Sequence, residues 1–221
     1  MRKSLVLLPL VVVSALLAML SQDLAWLPRE VGWLTKPLTT LLIMAYAWPR
    51  GPHTPLLRRF VLIGLACSLL GDVALMVPDG FVAGLLAFLA AHLAYLWAFT
   101  RVQRFASWPW SFAAYGLLAV SFLAFLWPGI PAALQVPVVA YVLCLGSMSA
   151  QAAVIAFRAR GTELQGRATT LALGGLLFFA SDGLIAFNKF DGPHPLAALA
   201  ILPAYWAAQW CIATWLAPQS A

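Results

Sequence analysis

Hydrophobic residues along the chain fall into eight long runs, separated by short polar or Pro/Gly-rich breaks. A helix needs about 20 apolar residues to cross the hydrocarbon core of a bilayer, and most of the runs reach that length. The breaks at 77–80 and 127–131 contain proline and glycine, which is typical of tight turns. The predicted helices cover residues 5–20, 31–48, 58–77, 81–100, 106–127, 131–157, 167–187 and 195–216.

The composition supports a membrane location for the whole chain. Of 221 residues, 63% are hydrophobic and 9% are charged, whereas about 25% of residues are charged in a soluble domain. We therefore predict an all-α integral membrane protein, a single transmembrane domain over residues 1–221. The first run follows Arg2 and Lys3 and resembles a signal peptide, but no small-x-small cleavage site follows it, so we expect a retained helix.

Positive charges set the predicted orientation. If the N-terminus is cytoplasmic, ten basic residues fall on that side, against Arg29 and Lys189 in the opposite loops. Both termini are then cytoplasmic, and the abundant alanine and compact loops favour a bacterial inner membrane. The net charge of +6 does not indicate a nucleic-acid partner, because no basic stripe interleaved with aromatics exists. The ten are Arg2, Lys3, Arg50, Arg58, Arg59, Arg101, Arg104, Arg158, Arg160 and Arg167.

The two halves of the chain show signs of duplication. A shift of 110 residues aligns Asp72 with Asp182 and Tyr95 with Tyr205. Leucine and alanine matches are common in so biased a composition, whereas matched aspartates and tyrosines are not. This favours two parallel four-helix repeats, with halves at 1–105 and 106–221.

A few polar residues interrupt the apolar runs. An ionisable residue at membrane depth costs a few kcal/mol on insertion scales, so it normally faces the bundle interior and has a function. With the predicted orientation, the charged members converge in the outer half of the membrane, and a site there would open to the periplasm. The residues are Lys36, Asp72, His92, Asp182 and Lys189, with Asn188, Gln151 and Gln209 as uncharged companions.

Helical spacing places several of these residues at the ends of interior faces. Residues four apart share one face of a helix, and small residues on that face allow helices to approach closely. The resulting ladders are Gly64–Ser68–Asp72, Gly84–Phe88–His92 with Tyr95, Gly174–Phe178–Asp182, and Tyr205–Gln209.

Each polar residue also has a structural interpretation. Lys36 could extend to the outer interface, and His92 could be a core histidine bonded to a neighbouring helix. Asp72 and Asp182 are harder to explain in this way, because neither lies near enough to a helix end to reach water easily. Tyr205 and Gln209 fit either interhelical bonding or site lining.

Two carboxyl groups facing one cavity cannot both ionise easily, so one of them is expected to keep its proton. Such a pair supplies a general acid beside a general base, and proton-coupled transporters use the same physics. Nucleophile motifs such as Gly-x-Ser-x-Gly are missing. The three cysteines lie singly in apolar runs, and only His92 is well placed for a metal. We therefore expect neither a metal nor a cofactor.

A set of short motifs runs along the chain in a fixed order and spacing. They are Lys36-Pro37, the run from Ser68 through Gly71-Asp72 to Met76, Phe81, Gly84, Phe88, His92, Tyr95, Gly175, Phe178, Ser181-Asp182, and Tyr205 to Gln209. In these motifs the chain resembles the YhhN family of membrane proteins, the lysoplasmalogenases, over nearly its whole length.

The resemblance implies hydrolysis of the vinyl ether bond of lysoplasmalogen, a lysophospholipid, to a fatty aldehyde and glycerophospho-ethanolamine or -choline. Asp72 and Asp182 would then be the acid–base pair, assisted by His92. Lys36 would hold the substrate phosphate. Further substrate contacts would come from Tyr95, Ser181, Asn188, Tyr205 and Gln209.

Two other functions fit the same polar groups. A proton-coupled small-solute transporter would also use parallel repeats and polar residues near the membrane midplane. A metal-dependent membrane amidase would need bound zinc. The sequence leaves headgroup preference and oligomeric state open.

Overall fold

The computed structural model describes residues 2–22 and 24–217, and the side chains of 2–5, 196 and 198 lie outside its description. The side chains of Arg2 and Lys3, two of the ten basic residues on which the predicted orientation depends, lie outside the described part. The described residues form eight α-helices and no β-strand. The helices are α1 (Arg2–Gln22), α2 (Arg29–Ala47), α3 (Pro55–Ala74), α4 (Phe81–Thr100), α5 (Pro109–Leu126), α6 (Ala132–Arg158), α7 (Gln165–Phe190) and α8 (Pro195–Trp215).

The prediction of an all-helical chain with eight helices is confirmed, with shifts of a few residues at the ends. No end shifts by more than three residues, and α5, for example, begins at Pro109 and not at residue 106. Trp108 is extended, with φ −134° and ψ 90°, because the residue before a proline is disfavoured in the helical region. Proline itself suits the first turn, where its missing N–H has no helical partner.

Four helices have both the length and the hydropathy of a membrane span. Within the described residues these are α4, α5 with its following turn, α6 and α7. The helices α2 and α3 each carry three charged residues, which lower their mean hydropathy. The chain is an integral membrane protein by these spans, whereas the number of crossings and the side on which the termini lie stay predictions.

The chain divides into two compact units. The first unit comprises Met1–Ala94 and Leu216–Ala221, and the second comprises Tyr95–Trp215. The predicted repeat halves at 1–105 and 106–221 stay a prediction.

Hydroxyl groups connect the helices of the first unit. Ser14 on α1 donates to the carbonyl oxygen of Thr35 on α2 at 3.0 Å, and Thr39 donates to the Ser14 hydroxyl at 2.9 Å. These bonds satisfy polar groups that would otherwise be buried without partners. At the other end of the unit, the Gly51 amide donates to the carbonyl oxygen of Ala217 at 2.7 Å.

In the second unit, α7 packs between α6 and α8 at two adjacent glycines. A Cβ added to Gly174 would lie 2.9 Å from the Cβ of Cys211 on α8. A Cβ added to Gly175 would lie 3.1 Å from the Cα of Ser149 on α6, whose hydroxyl donates to the Gly175 carbonyl at 2.8 Å. The absence of side chains here lets both neighbouring helices approach α7 closely.

Replacing Gly175 with leucine should destabilise the second unit. The added side chain must push α6 away, which is overpacking of the kind that costs about 1–3 kcal/mol. The midpoint of thermal unfolding in detergent should therefore fall relative to the unchanged protein.

Gly166→Leu is the matched control, because Gly166 lies on the same helix and nothing lies within 4 Å of a Cβ there. If both variants unfold at the same temperature, close packing at Gly175 does not contribute to stability.

Candidate functional site

Asp72 lies in the first unit, near the end of α3, and only 2% of its surface is exposed. The hydroxyl of Thr40 on α2 donates to Asp72 Oδ2 at 2.7 Å. A buried carboxyl group requires such a donor, because its transfer out of water is otherwise costly. The bond fixes the direction of the carboxyl group and joins α2 to α3.

Lys36 precedes Thr40 by one helical turn and is 7% exposed. Residues four apart share a helix face, so the Lys36 side chain leaves α2 on the same face as the hydroxyl that contacts Asp72. Such burial favours a position inside the protein over extension to the outer interface. The positive charge of Lys36 thus lies on the helix face that carries the Asp72 contact.

His92 is fully buried on α4. A Cβ added to Gly71 would lie 2.6 Å from the Phe88 ring, and one added to Gly84 would lie 2.6 Å from Leu75. These two contacts set an antiparallel register between α3 and α4. Continued by one turn, the register brings His92 level with the turn of α3 that precedes Asp72.

Asp182 lies in the second unit on α7 and is 7% exposed. The hydroxyl of Tyr141 on α6 donates to Asp182 Oδ2 at 2.5 Å, so this carboxyl group also takes a donor from the preceding helix. Both aspartates therefore share one local arrangement, a carboxyl group on one helix and a hydroxyl group on the helix before it.

Aromatic side chains lie one turn from Asp182. The Phe178 ring is fully buried and meets the Tyr205 ring edge-on, with centroids 5.6 Å apart. The Tyr95 ring lies 6.4 Å from Phe178, and its hydroxyl donates to Gln209 Oε1 at 2.6 Å. The structure thus groups Tyr95, Tyr205 and Gln209 around the Phe178 ring.

Two residues expected to contact substrate, Ser181 and Asn188, form hydrogen bonds within the protein. The Ser181 hydroxyl donates to the Ile201 carbonyl oxygen at 3.0 Å and ties α7 to α8. Asn188 Oδ1 accepts the backbone N–H of His194 at 3.0 Å in the turn between these helices. Their assignment to substrate binding stays a prediction.

Thr40 and Tyr141 were not found from the sequence. Thr40 follows Lys36 by four residues, which is a weak signal on a helix with several threonines. The alignment of the two halves at a shift of 110 residues does not identify these donors either, because it pairs Thr40 with Ala150 and Tyr141 with Val31. Within the described ranges no group of three or more His, Cys, Asp or Glu side chains is arranged to hold a metal ion.

The chain is similar to a known protein family and to several named proteins. The YhhN family profile matches residues 31–216. Lysoplasmalogenase TMEM86B of Homo sapiens is 36% identical over 190 residues, which cover 80% of this chain and 71% of the human protein. The protein of the same name from Sus scrofa is 35% identical over 147 residues, covering 66% and 58%, and that from Rattus norvegicus is 32% identical over 177 residues, covering 79% and 67%.

No solved structure matches the chain. The family profile covers most of the sequence, including both aspartates and the residues grouped around them. The human relative shares more than a third of its aligned residues with this chain. The chain therefore belongs to the YhhN family.

Proposed function

We propose that this protein is a lysoplasmalogenase of the membrane. It hydrolyses the vinyl ether bond of a lysoplasmalogen and releases a fatty aldehyde and a glycerophospho-ethanolamine or -choline. The similarity to relatives named lysoplasmalogenase, over as much as 80% of the chain, carries this proposal. The two buried carboxyl groups supply the chemistry that such a reaction needs.

Vinyl ether hydrolysis begins with a proton transfer to carbon. The proton adds to the alkene carbon farther from the ether oxygen and leaves an oxocarbenium ion. Water adds to the cationic carbon and loses a proton, which gives a hemiacetal. The hemiacetal carbon–oxygen bond then breaks, so that the aldehyde and the glycerol hydroxyl separate. A general acid and an acceptor for the water proton are the two groups required.

Asp72 and Asp182 fill these two roles in the proposed mechanism. A protonated carboxyl group delivers the proton, and an ionised one stabilises the oxocarbenium ion and accepts the proton from water. Thr40 and Tyr141 act as positioning residues, because each holds one carboxyl group in a fixed direction. His92 assists the collapse of the hemiacetal.

The remaining polar residues serve substrate binding in this proposal. Lys36 carries a buried positive charge on the α2 face that contacts Asp72, and it pairs with the substrate phosphate. In the second unit the aromatic group of Tyr95 and Tyr205 with Gln209 borders the apolar part of the lipid. Ser181 and Asn188 contribute through the α7–α8 connection that they stabilise.

The proposed topology has eight crossings with both termini in the cytoplasm of a bacterium and a site open to the periplasmic side. The bias of basic residues supports this orientation. Several arginines of the predicted cytoplasmic side also lie over aromatic rings near helix ends. The guanidinium carbon of Arg101 lies 3.9 Å from the Trp97 ring centroid, and that of Arg160 lies 4.6 Å from the Phe157 ring centroid. Such pairs are suited to the membrane interface.

Replacing either carboxyl group with an amide should remove most of the activity. Asp72→Asn and Asp182→Asn each lose a group that donates or accepts a proton, which is worth about 10²–10⁴-fold in rate. Aldehyde release by purified protein in detergent micelles measures the effect. A transporter would release no aldehyde under these conditions.

Asp79→Asn is the matched control and should leave the rate unchanged. Asp79 lies in an exposed turn with a φ of 60°, a conformation that asparagine tolerates. Full turnover in both Asp72→Asn and Asp182→Asn would exclude the two carboxyl groups from the chemistry.

Removing the hydroxyl donors should weaken catalysis less than removing the carboxyl groups. Thr40→Val and Tyr141→Phe keep shape but leave a carboxyl oxygen without its donor, and a hydrogen bond to a charged group is worth about 1.5–3 kcal/mol. We expect kcat to fall by about 10–100-fold with a changed pH profile and little change in KM. An unchanged pH profile in both variants would assign these hydroxyls to structure alone.

The topology predicts which turns a membrane-impermeant reagent can reach. Single cysteines at Pro78→Cys and Glu163→Cys, in a protein whose three native cysteines are replaced, lie in exposed turns. In intact cells a maleimide that cannot cross the membrane should label position 78 and spare position 163. Labelling of position 163 but not of position 78 would show that the orientation is the opposite of the proposed one. Equal labelling of both positions in intact cells would contradict the proposed number of crossings between them.

A further inference from the structure

The hydroxyl group of Ser68 on α3 has no hydrogen-bond partner among the residues that the structure describes, although its side chain is fully buried. Buried hydroxyl groups almost always bond to protein or to ordered water. Every other buried serine or threonine in the described part of the chain donates a hydrogen bond to another protein group. These residues are Ser14, Ser21, Thr35, Thr39, Thr40, Ser111, Ser149 and Ser181. Ser68 is therefore an exception that requires a physical reason.

The backbone of α3 does not satisfy the Ser68 hydroxyl either. Within a helix the common partner of such a group is the carbonyl oxygen one turn earlier. Thr35 and Thr39 on α2 both use it, with bonds of 2.7 Å to Val31 and 2.8 Å to Thr35. The Ser68 hydroxyl does not bond to the corresponding oxygen of Gly64. It is thus left to bond to a molecule that is not part of the protein.

Ser68 lies on α3 between the face that meets α4 and the face that meets α2. Successive residues are turned by about 100° around an α-helix, so Gly71 lies about 60° to one side of Ser68 and Asp72 about 40° to the other. A Cβ added to Gly71 would lie 2.6 Å from the Phe88 ring of α4, and Asp72 accepts the bond from Thr40 of α2. The Ser68 side chain therefore points to the place where these three helices meet.

Two groups of the proposed mechanism lie at the same place. Asp72 follows Ser68 by one turn of α3, and the register between α3 and α4 brings His92 level with the turn that Ser68 begins. Side chains four residues apart have Cβ atoms about 5–6 Å apart, a separation that one water molecule can bridge. A carboxylate accepts several hydrogen bonds, so Asp72 can accept one from this water as well as the one from Thr40.

We propose that Ser68 holds the water molecule that captures the oxocarbenium ion, and that Asp72 accepts the proton of this water. The inference rests on the proposed function and assigns its two carboxyl groups, because the donor of the first proton is then Asp182. The water oxygen forms a bond to the cationic carbon, and a water proton passes to the Asp72 carboxylate. The electron pair of the carbon–oxygen π bond returns to the ether oxygen. Ser68 is a positioning residue, since it acts through the water.

The test follows deuterium during turnover in D₂O. The first step places a deuteron on the alkene carbon. If water then captures the ion, this deuteron leaves in the aldehyde. If the ion first loses the original hydrogen from the same carbon, the deuteron returns in deuterated lysoplasmalogen. The ratio of deuterium in recovered substrate to aldehyde formed therefore measures how readily water captures the ion.

Ser68→Ala removes the hydroxyl that holds the water and should raise this ratio about tenfold, because one hydrogen bond contributes about that much to a rate. Ser14→Ala is the matched control. It removes a buried hydroxyl of the same unit that bonds to the Thr35 carbonyl oxygen, and it should keep the ratio of the unchanged protein. A purely structural role of Ser68 would affect stability or the overall rate and leave the ratio unchanged.

The outcomes separate the two proposals. If the unchanged protein releases no aldehyde from any lysoplasmalogen, the proposed function is wrong. If the unchanged protein is active and Ser68→Ala keeps the deuterium ratio, the proposed function stands and this inference is wrong.

A second measurement does not depend on turnover, and so covers the case of an inactive variant. An experimental map of the unchanged protein that resolves ordered waters should show one within hydrogen-bond distance of both Ser68 Oγ and a carboxylate oxygen of Asp72. A map of that quality without a water at this position would overturn the inference.

Discussion

The structure depends on giving hydrogen bonds to carboxyl groups in helices that are otherwise apolar. Asp72 and Asp182 are almost fully buried, and without a donor each would cost several kcal/mol. In both units the donor is a hydroxyl group on the preceding helix, Thr40 for Asp72 and Tyr141 for Asp182. The same bonds hold neighbouring helices in register, so residues that carry the proposed chemistry also stabilise the local fold.

The helices and the buried acids could be predicted because both follow from one-dimensional patterns. Apolar runs of sufficient length must form helices in lipid, and a four-residue ladder identifies the face on which Asp72 lies. The hydroxyl donors could not be predicted in this way. Which residue of α6 meets Asp182 depends on how the two helices are rotated and staggered, and neither quantity is encoded in spacing. The predicted repeat aligns the two aspartates, yet the donors Thr40 and Tyr141 are not at aligned positions.

The glycines of α7 illustrate the same limit. In the sequence Gly174, Gly175 and Gly183 are alike, small residues in an apolar run that would all be assigned to helix packing. In the structure two of them contact neighbouring helices and the third borders an open groove. The difference depends on the distance between α5 and α7. The Tyr115 ring on α5 meets the Phe179 ring on α7 edge-on, with centroids 5.3 Å apart, and this contact helps to set that distance.

The membrane setting of the chain has a consequence for how the proposed substrate would reach the buried carboxyl groups. A lysolipid already lies in the bilayer, so it can enter sideways with its chain in hydrocarbon throughout, and no chain has to pass through water. In the proposed mechanism the acid would then meet the vinyl ether in a medium of low polarity, where a fixed carboxylate stabilises a developing cation far more than it would in water. Water is the reactant that would have to be brought to such a site, and the proposed reaction therefore gives a reason for polar side chains at this depth despite the cost of burying them.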